Sequence, residues 1–179
     1  MHVIIDPRGR LIIDDARITF KNFSGRGTEY NDEGNRNFCL IIAGGVLEKG
    51  RDKFTLNAQE MAEALMNETN KYGDGWKIKI KPPVEPGAEP FAYLQVKISQ
   101  NRMPVVYVES AGKVRKLEDL EELNMLDRIA IGSVNLDIRP YDDVMRGRSF
   151  RTAYLDCLEV FQAIDRFTAR YAEEEYPEE

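Results

Sequence analysis

Histidine occurs once in this chain, at position 2, and cysteine twice, as Cys39 and Cys157. That is too few for a structural zinc site, which takes four nitrogen or sulfur ligands. No serine or cysteine has a histidine partner in a nucleophile motif. Both cysteines sit inside apolar runs, so they read as buried thiols rather than a disulfide framework. No apolar run approaches the roughly 18–20 residues that a membrane-spanning helix needs, so no membrane partner is expected. The opening Met1-His2-Val3-Ile4-Ile5-Asp6-Pro7 has neither the basic start nor the apolar block of a secretory signal. These scarcities together point to a reducing cytosol, in the producing cell or in an infected host.

Carboxylates are plentiful, yet no pair of expected strands gathers them on one face as two-metal chemistry requires. Asp137 and Asp156 fall on adjacent expected strands and read as solvent-facing polar positions. A non-catalytic protein without metal or cofactor is the expectation.

What the chain does have is an ordinary globular composition, 42% apolar and 31% charged over 179 residues. That is one domain's worth, taken as residues 1–172, followed by an acidic tail at 173–179. The net charge of −6 is unevenly spread. The tail holds Glu173, Glu174, Glu175, Glu178 and Glu179 around Tyr176 and no cation, and the rest of the chain is within one charge of neutral. A near-neutral body still has room for a basic stripe, so the balance neither supports nor excludes a nucleic-acid partner.

Such a stripe is visible. In Trp76-Lys77-Ile78-Lys79-Ile80-Lys81 the three lysines share one face of a strand, and Trp76, Ile78 and Ile80 share the other. After a Pro-rich break over 82–90, Ala92, Leu94, Val96 and Ile98 form an apolar face, leaving Phe91, Tyr93, Gln95 and Lys97 opposite. Lysines beside exposed aromatics neutralise phosphates and stack bases. The plainer alternative is that they merely face water, as lysines on half-buried strands do.

Along the chain, Val3–Ile5 and Leu11–Ile13 predict an N-terminal hairpin. Asp14-Asp15 is expected to end its second strand before another at 17–23, with Ile18 and Phe20 inward. The loop 24–36 carries Gly25, Gly27 and Gly34, with Arg26, Tyr30 and Arg36 interleaved, a combination able to grip a base and its phosphate. A polar hairpin loop with a packed tyrosine reads equally well. Asn37–Ala43 predicts a central strand and Glu48–Lys53 a charged mobile link. Asn57 and Glu60 open a helix with a capping box, followed by apolar Met61, Ala62, Leu65 and Met66 and ended near Gly73. Further strands are expected over 91–100, 104–110, 128–141 and 150–160, with a short helix over 117–126 and a basic turn at Arg146-Gly147-Arg148. Helical spacing of Val160, Phe161, Ile164, Phe167 and Tyr171 predicts a C-terminal helix.

About seven or eight strands with one central and one terminal helix make a β-rich protein with minor α content. Closing the sheet hides its edges, and an elaborated OB-fold-like Greek-key barrel is the economical form, with a jelly roll or sandwich as the alternative.

The run Ile18–Arg26 with Tyr30-Asn31 and Gly34–Phe38, and later Tyr93–Lys97 and Ile138–Tyr141, resembles a family of small early bacteriophage proteins. The likeness extends over about residues 16 to 160, and its plan is similar to that of the OB-fold single-stranded DNA-binding proteins of T7-type phages. The resemblance implies roles in replication or recombination in an infected or lysogenic host. It also implies an acidic tail that contacts partner proteins and competes with DNA. Unlike that group, this tail has its aromatic residue, Tyr176, in its interior.

On this reading Lys77, Lys79, Lys81, Lys97 and Arg102 hold phosphates. Phe91, Tyr93 and Tyr107 stack bases, and Arg26, Tyr30 and Arg36 close over the strand. The competing class is a protein-interaction module, such as an inhibitor of a host defence or a virion component. The sequence leaves a homo-oligomer open.

Overall fold

The computed structural model describes residues 1–83 and 85–163. Its strands are β1 (His2–Ile5), β2 (Leu11–Asn22), β3 (Asn37–Ile42), β4 (Gly45–Lys49), β5 (Asp52–Leu56), β6 (Ile78–Lys81), β7 (Phe91–Lys97), β8 (Val105–Ser110), β9 (Lys113–Leu117), β10 (Ile131–Met145) and β11 (Arg148–Gln162). One α-helix, α1 (Ala58–Met66), lies between β5 and β6, and a 3-10 helix (Glu121–Asp127) precedes β10.

Five strands form a closed ring in the order β2-β3-β7-β11-β10 and back to β2. Every junction in the ring is antiparallel except β7 with β11, which run parallel. This is the expected OB-like barrel. Alternation of residue type drives it: Ile13, Phe38, Leu40, Leu94, Val96, Leu136, Ile138 and Leu155 point inward and are almost wholly buried. Each such side chain contributes roughly 1.5–3 kcal/mol by leaving water.

Around the barrel, β1 pairs with β2 and carries the β4–β5 hairpin as a wing. The strand β6 pairs with β7, while β8 follows β7 along the edge of β11 and carries β9. The helix α1 starts where the sequence predicts. The Asn57 side chain accepts from the Glu60 amide at 2.8 Å, and the Glu60 carboxylate accepts from the Asn57 amide at 3.0 Å. Met61, Ala62 and Leu65 seat it on the core, and Met66 is its last residue.

Several expectations need correcting. The link at 48–53 is the charged turn end of the β4–β5 hairpin, which masks in the sequence the strand pair whose Leu47 is buried in the core. Asp14-Asp15 does not end a strand: β2 runs on to Asn22, absorbing the two residues as an irregularity opposite β10, with Asp15 at φ 54°. Residues 113–117 form a strand, and the helix that follows is shorter and of 3-10 type. Val160 and Phe161 belong to β11, and the rest of the expected C-terminal helix and the tail lie outside the described residues.

Candidate nucleic-acid interface

The lysine strand and the aromatic strand adjoin. In the antiparallel β6–β7 pair, Lys79 lies opposite Tyr93 and Lys81 opposite Phe91, so both pairs project from one side. That side is outward, because the intervening Ala92 and Leu94 are core residues. Lys77, exposed just before β6, continues the row. Across β7, Ile41 of β3 lies opposite Tyr93 and Cys39 opposite Gln95. Burial pushes the Cys39 thiol up to about 11 against the opposing influence of the Lys79 charge, so it stays neutral at physiological pH.

A third ring joins this face from a residue expected inside. Phe20 falls where the β2–β3 register slips between Thr19 and Asn22, and its φ of 49° turns the side chain outward. It is 45% exposed. Its ring lies 6.3 Å from Phe91 in a stacked arrangement and 5.6 Å from Tyr93 edge-on, and the Lys81 ammonium sits 4.6 Å from its centroid. Period-two alternation assigns Phe20 to the core with Ile18, and nothing in the sequence signals the slip.

Farther along β7, Lys97 faces outward between Asn37 of β3 and Tyr154 of β11. Here the loop 23–36 meets the barrel: the Ile98 amide donates to the Arg36 carbonyl at 3.0 Å and Gln100 Nε2 to the Gly34 carbonyl at 2.6 Å. The loop is built, not slack. Gly25 and Gly34 stand back to back, with the Gly34 amide donating to the Gly25 carbonyl at 2.7 Å. The Asn31 side chain donates to the carbonyls of Arg26, Asp32 and Asn35.

Asp127 at the end of the 3-10 helix clamps the loop's base. It accepts from the Phe23 amide at 2.8 Å, the Ser24 amide at 2.9 Å and the Ser24 hydroxyl at 2.7 Å. Burial pushes its carboxyl up, but these hydrogen bonds and the charge of Arg26 outweigh that and hold it below its ordinary value. Arg36 serves the same joint, donating to the Phe23 carbonyl at 2.5 Å and to Asn124 at 2.7 Å. It is therefore committed to positioning the loop. Arg26 and Tyr30 remain at the exposed end, Tyr30 being 92% exposed.

Arg102 reaches a different cluster. With Arg10 and Arg139 it surrounds Asp156, at 3.9, 3.6 and 2.5 Å respectively. Asp156 is mostly buried there, so the expectation of a solvent-facing carboxylate is corrected. Tyr107 lies on β8 between Lys116 of β9 and Glu159 of β11, apart from the rings on β7. Among the described residues, no three His, Cys, Asp or Glu side chains gather as a metal site. No helix among them is long and apolar enough to cross a membrane.

A family model described as "Putative phage ssDNA-binding domain" matches residues 2–179. The chain belongs to that family. Among solved structures, it is similar to the single-stranded DNA-binding protein of bacteriophage Enc34 in complex with ssDNA. That match has 18% identity and a TM-score of 0.52, over 91% of this chain and 92% of that one. The C-terminally truncated form of the Enc34 protein matches at 13% identity and TM-score 0.52, over 90% of each chain. A further structure of it matches at 16% and 0.51, over 91% and 86%. At such identities the likeness concerns the fold, and it agrees with the closed barrel. No curated protein sequence matches the chain.

Proposed function

We propose that this protein binds single-stranded DNA without reading its sequence and without a catalytic step, along the outer face of β6, β7 and β3. The observation that carries the reading is the trio Phe20, Phe91 and Tyr93, ringed by Lys79 and Lys81 on a barrel face. Ring faces stack any base, at roughly 1–3 kcal/mol per base, and lysines meet phosphates without sequence preference. Lys77 and Lys97 extend the cationic line at either end, and Arg102 sits beyond Lys97. Arg26 and Tyr30 overhang from the loop that Arg36 and Asp127 position. Membership of the phage family supports the reading, and replication or recombination in an infected or lysogenic bacterium is the setting it suggests. In the same proposal residues 1–172 act as one binding domain. The carboxylates of 173–179 compete with DNA for the lysines and offer a contact for replication or recombination proteins.

The test is fluorescence anisotropy with a labelled oligo-dT of about 30 nucleotides, longer than the site size of one OB fold, over a range of salt. Wild type should bind with strong salt dependence, and Lys79→Ala and Lys81→Ala should each lower the salt slope by about 0.7. Absence of binding at low salt by both the full chain and a chain stopped after Ala172 would sink the proposal. The protein-interaction reading would then lead.

A further inference from the structure

The lysine strand β6 is the least supported part of the proposed interface. It is four residues long and pairs only with β7 among the described residues, so its other edge has no ladder there. Four pairs on one side hold a strand loosely, and a slip of one residue would turn its lysines to the opposite face. The row of Lys77, Lys79 and Lys81 therefore depends on what fixes the point where β6 begins.

That point is Trp76, the chain's single tryptophan, which is 2% exposed and immediately precedes Lys77. Its amide donates to the Leu65 carbonyl near the end of α1 at 3.3 Å, and its carbonyl accepts from the Ile78 amide at 2.9 Å. Gly75 passes so close to α1 that a Cβ there would lie 1.8 Å from the Met66 carbonyl oxygen. The indole Nε1 is buried and has no hydrogen-bond partner among the described residues. The ring is thus oriented by what packs on it.

Arg151 of β11 packs on it, with its guanidinium 5.0 Å from the ring centroid. Nε and Nη2 donate to the two Asp142 carboxylate oxygens on β10 at 2.8 and 3.1 Å, and Nη1 donates to the Glu68 carbonyl at 2.9 Å. Glu68 follows α1, and its carboxylate accepts from Lys49 of β4 at 3.0 Å. One side chain therefore fastens β10 and the segment after α1 to the root of β6. A guanidinium makes paired bonds and stacks on a ring at once, whereas an ammonium is a point charge. The Arg151 side chain is only 8% exposed, so it is not placed to touch DNA itself.

We propose that Arg151 is a positioning residue for DNA binding. By clamping Trp76 it fixes the root of β6, and so holds Lys77, Lys79 and Lys81 in register with the rings of β7. This inference rests on the proposed binding at β6 and β7.

A buried arginine also stabilises a fold, so the test must separate positioning from folding. The variant Arg151→Leu/Asp142→Leu removes the ion pair without stranding a buried charge, and Arg151→Lys keeps a cation beside Asp142. Both are made in wild type and in Lys77→Ala/Lys79→Ala/Lys81→Ala. Each is assayed by oligo-dT anisotropy over a range of salt, at a temperature where circular dichroism shows it folded. Tryptophan emission of the free protein reports Trp76 alone. With the lysines present, loss of the clamp should shift that emission to longer wavelength and lower the salt slope by about 0.7 for each lysine displaced, up to about 2 for the row. Without the lysines, the emission should shift alike but affinity and slope should not change further. A shifted emission with wild-type salt slope would overturn the inference, and so would an equal loss of affinity on both backgrounds. Wild-type emission in the folded variants would also overturn it, since Arg151 would then not hold the ring. Failure of wild type to bind, or a wild-type slope in the triple lysine variant, would instead refute the proposed function.

Discussion

Replacing Phe20 by alanine separates a binding residue from a packing residue more sharply than any other single change. Its ring is close to half exposed and touches Phe91 and Tyr93 only on the outer face, so the core does not depend on it. Aromatic pairs of this kind contribute about 0.5–1.5 kcal/mol each, and less where water reaches the rings, so the stability loss should stay near 1 kcal/mol. In a chain of this size that is a fall of about 2–4 °C in melting temperature. Stacking one base on the ring is instead worth about 1–3 kcal/mol, a five- to 150-fold change in Kd. Because phenylalanine is uncharged, the dependence of log K on log salt should be unchanged. The assay is a salt titration of oligo-dT anisotropy for wild type and Phe20→Ala, with a melting curve for each. A loss of less than twofold in affinity would show that Phe20 is not a stacking platform. A changed salt slope would show that the substitution had displaced Lys81, whose ammonium lies over the ring, and the effect would then be one of charge.

Asp127→Asn should destabilise the protein by about 2 kcal/mol near neutral pH, since three hydrogen bonds to a carboxylate hold the loop. The Asp127 carboxyl is held below its ordinary 3.8, so its charge-dependent share of stability is fully present above that value. The gap between wild type and variant in urea unfolding should narrow as pH falls from 3.8 through the lower folded value, and a gap that stayed constant to pH 3 would refute the clamp. Gly25→Ala should cost about 1–2 kcal/mol in the same assay, because φ is 69° and the new Cβ would meet the Gly34 carbonyl carbon at 3.0 Å. Stopping the chain after Ala172 should tighten oligo-dT binding several-fold at low salt and hardly at all at high salt, as screening requires. No change at low salt would mean that the carboxylates do not compete.

The parts legible in the sequence are those where one rule governs. Alternation placed the lysines of β6 and the rings of β7 on one strand face each, and the capping box located the start of α1 to the residue, whereas its end lies at Met66 and not near Gly73. What the sequence could not show was that β6 and β7 are neighbours, since pairing depends on the whole barrel. Phe20 was misplaced because a single irregular residue inverts the side to which a side chain points. Arg36 reads as a cation for DNA, and sequence spacing does not reveal that it also donates to Asn124 and the Phe23 carbonyl. Tyr154 falls within the strand expected over 150–160, but its union with Tyr141 and Phe150 needed the register between two 15-residue strands.

The ring of strands has one thin seam. Where β10 and β11 are laced along nearly their whole length, β7 and β11 are joined at only two positions, Val96 with Ala153 and Lys97 with Tyr154. Lys97 lies on the proposed DNA path, which runs on to Arg102 beside Asp156 of β11. A strand held on both sides of it would act as an external brace, tying together the two edges that the backbone joins least. Amide hydrogens at the seam should therefore exchange faster than those of the β10–β11 ladder in the free protein, and slow down when DNA is bound. The barrel would owe part of its closure to its cargo.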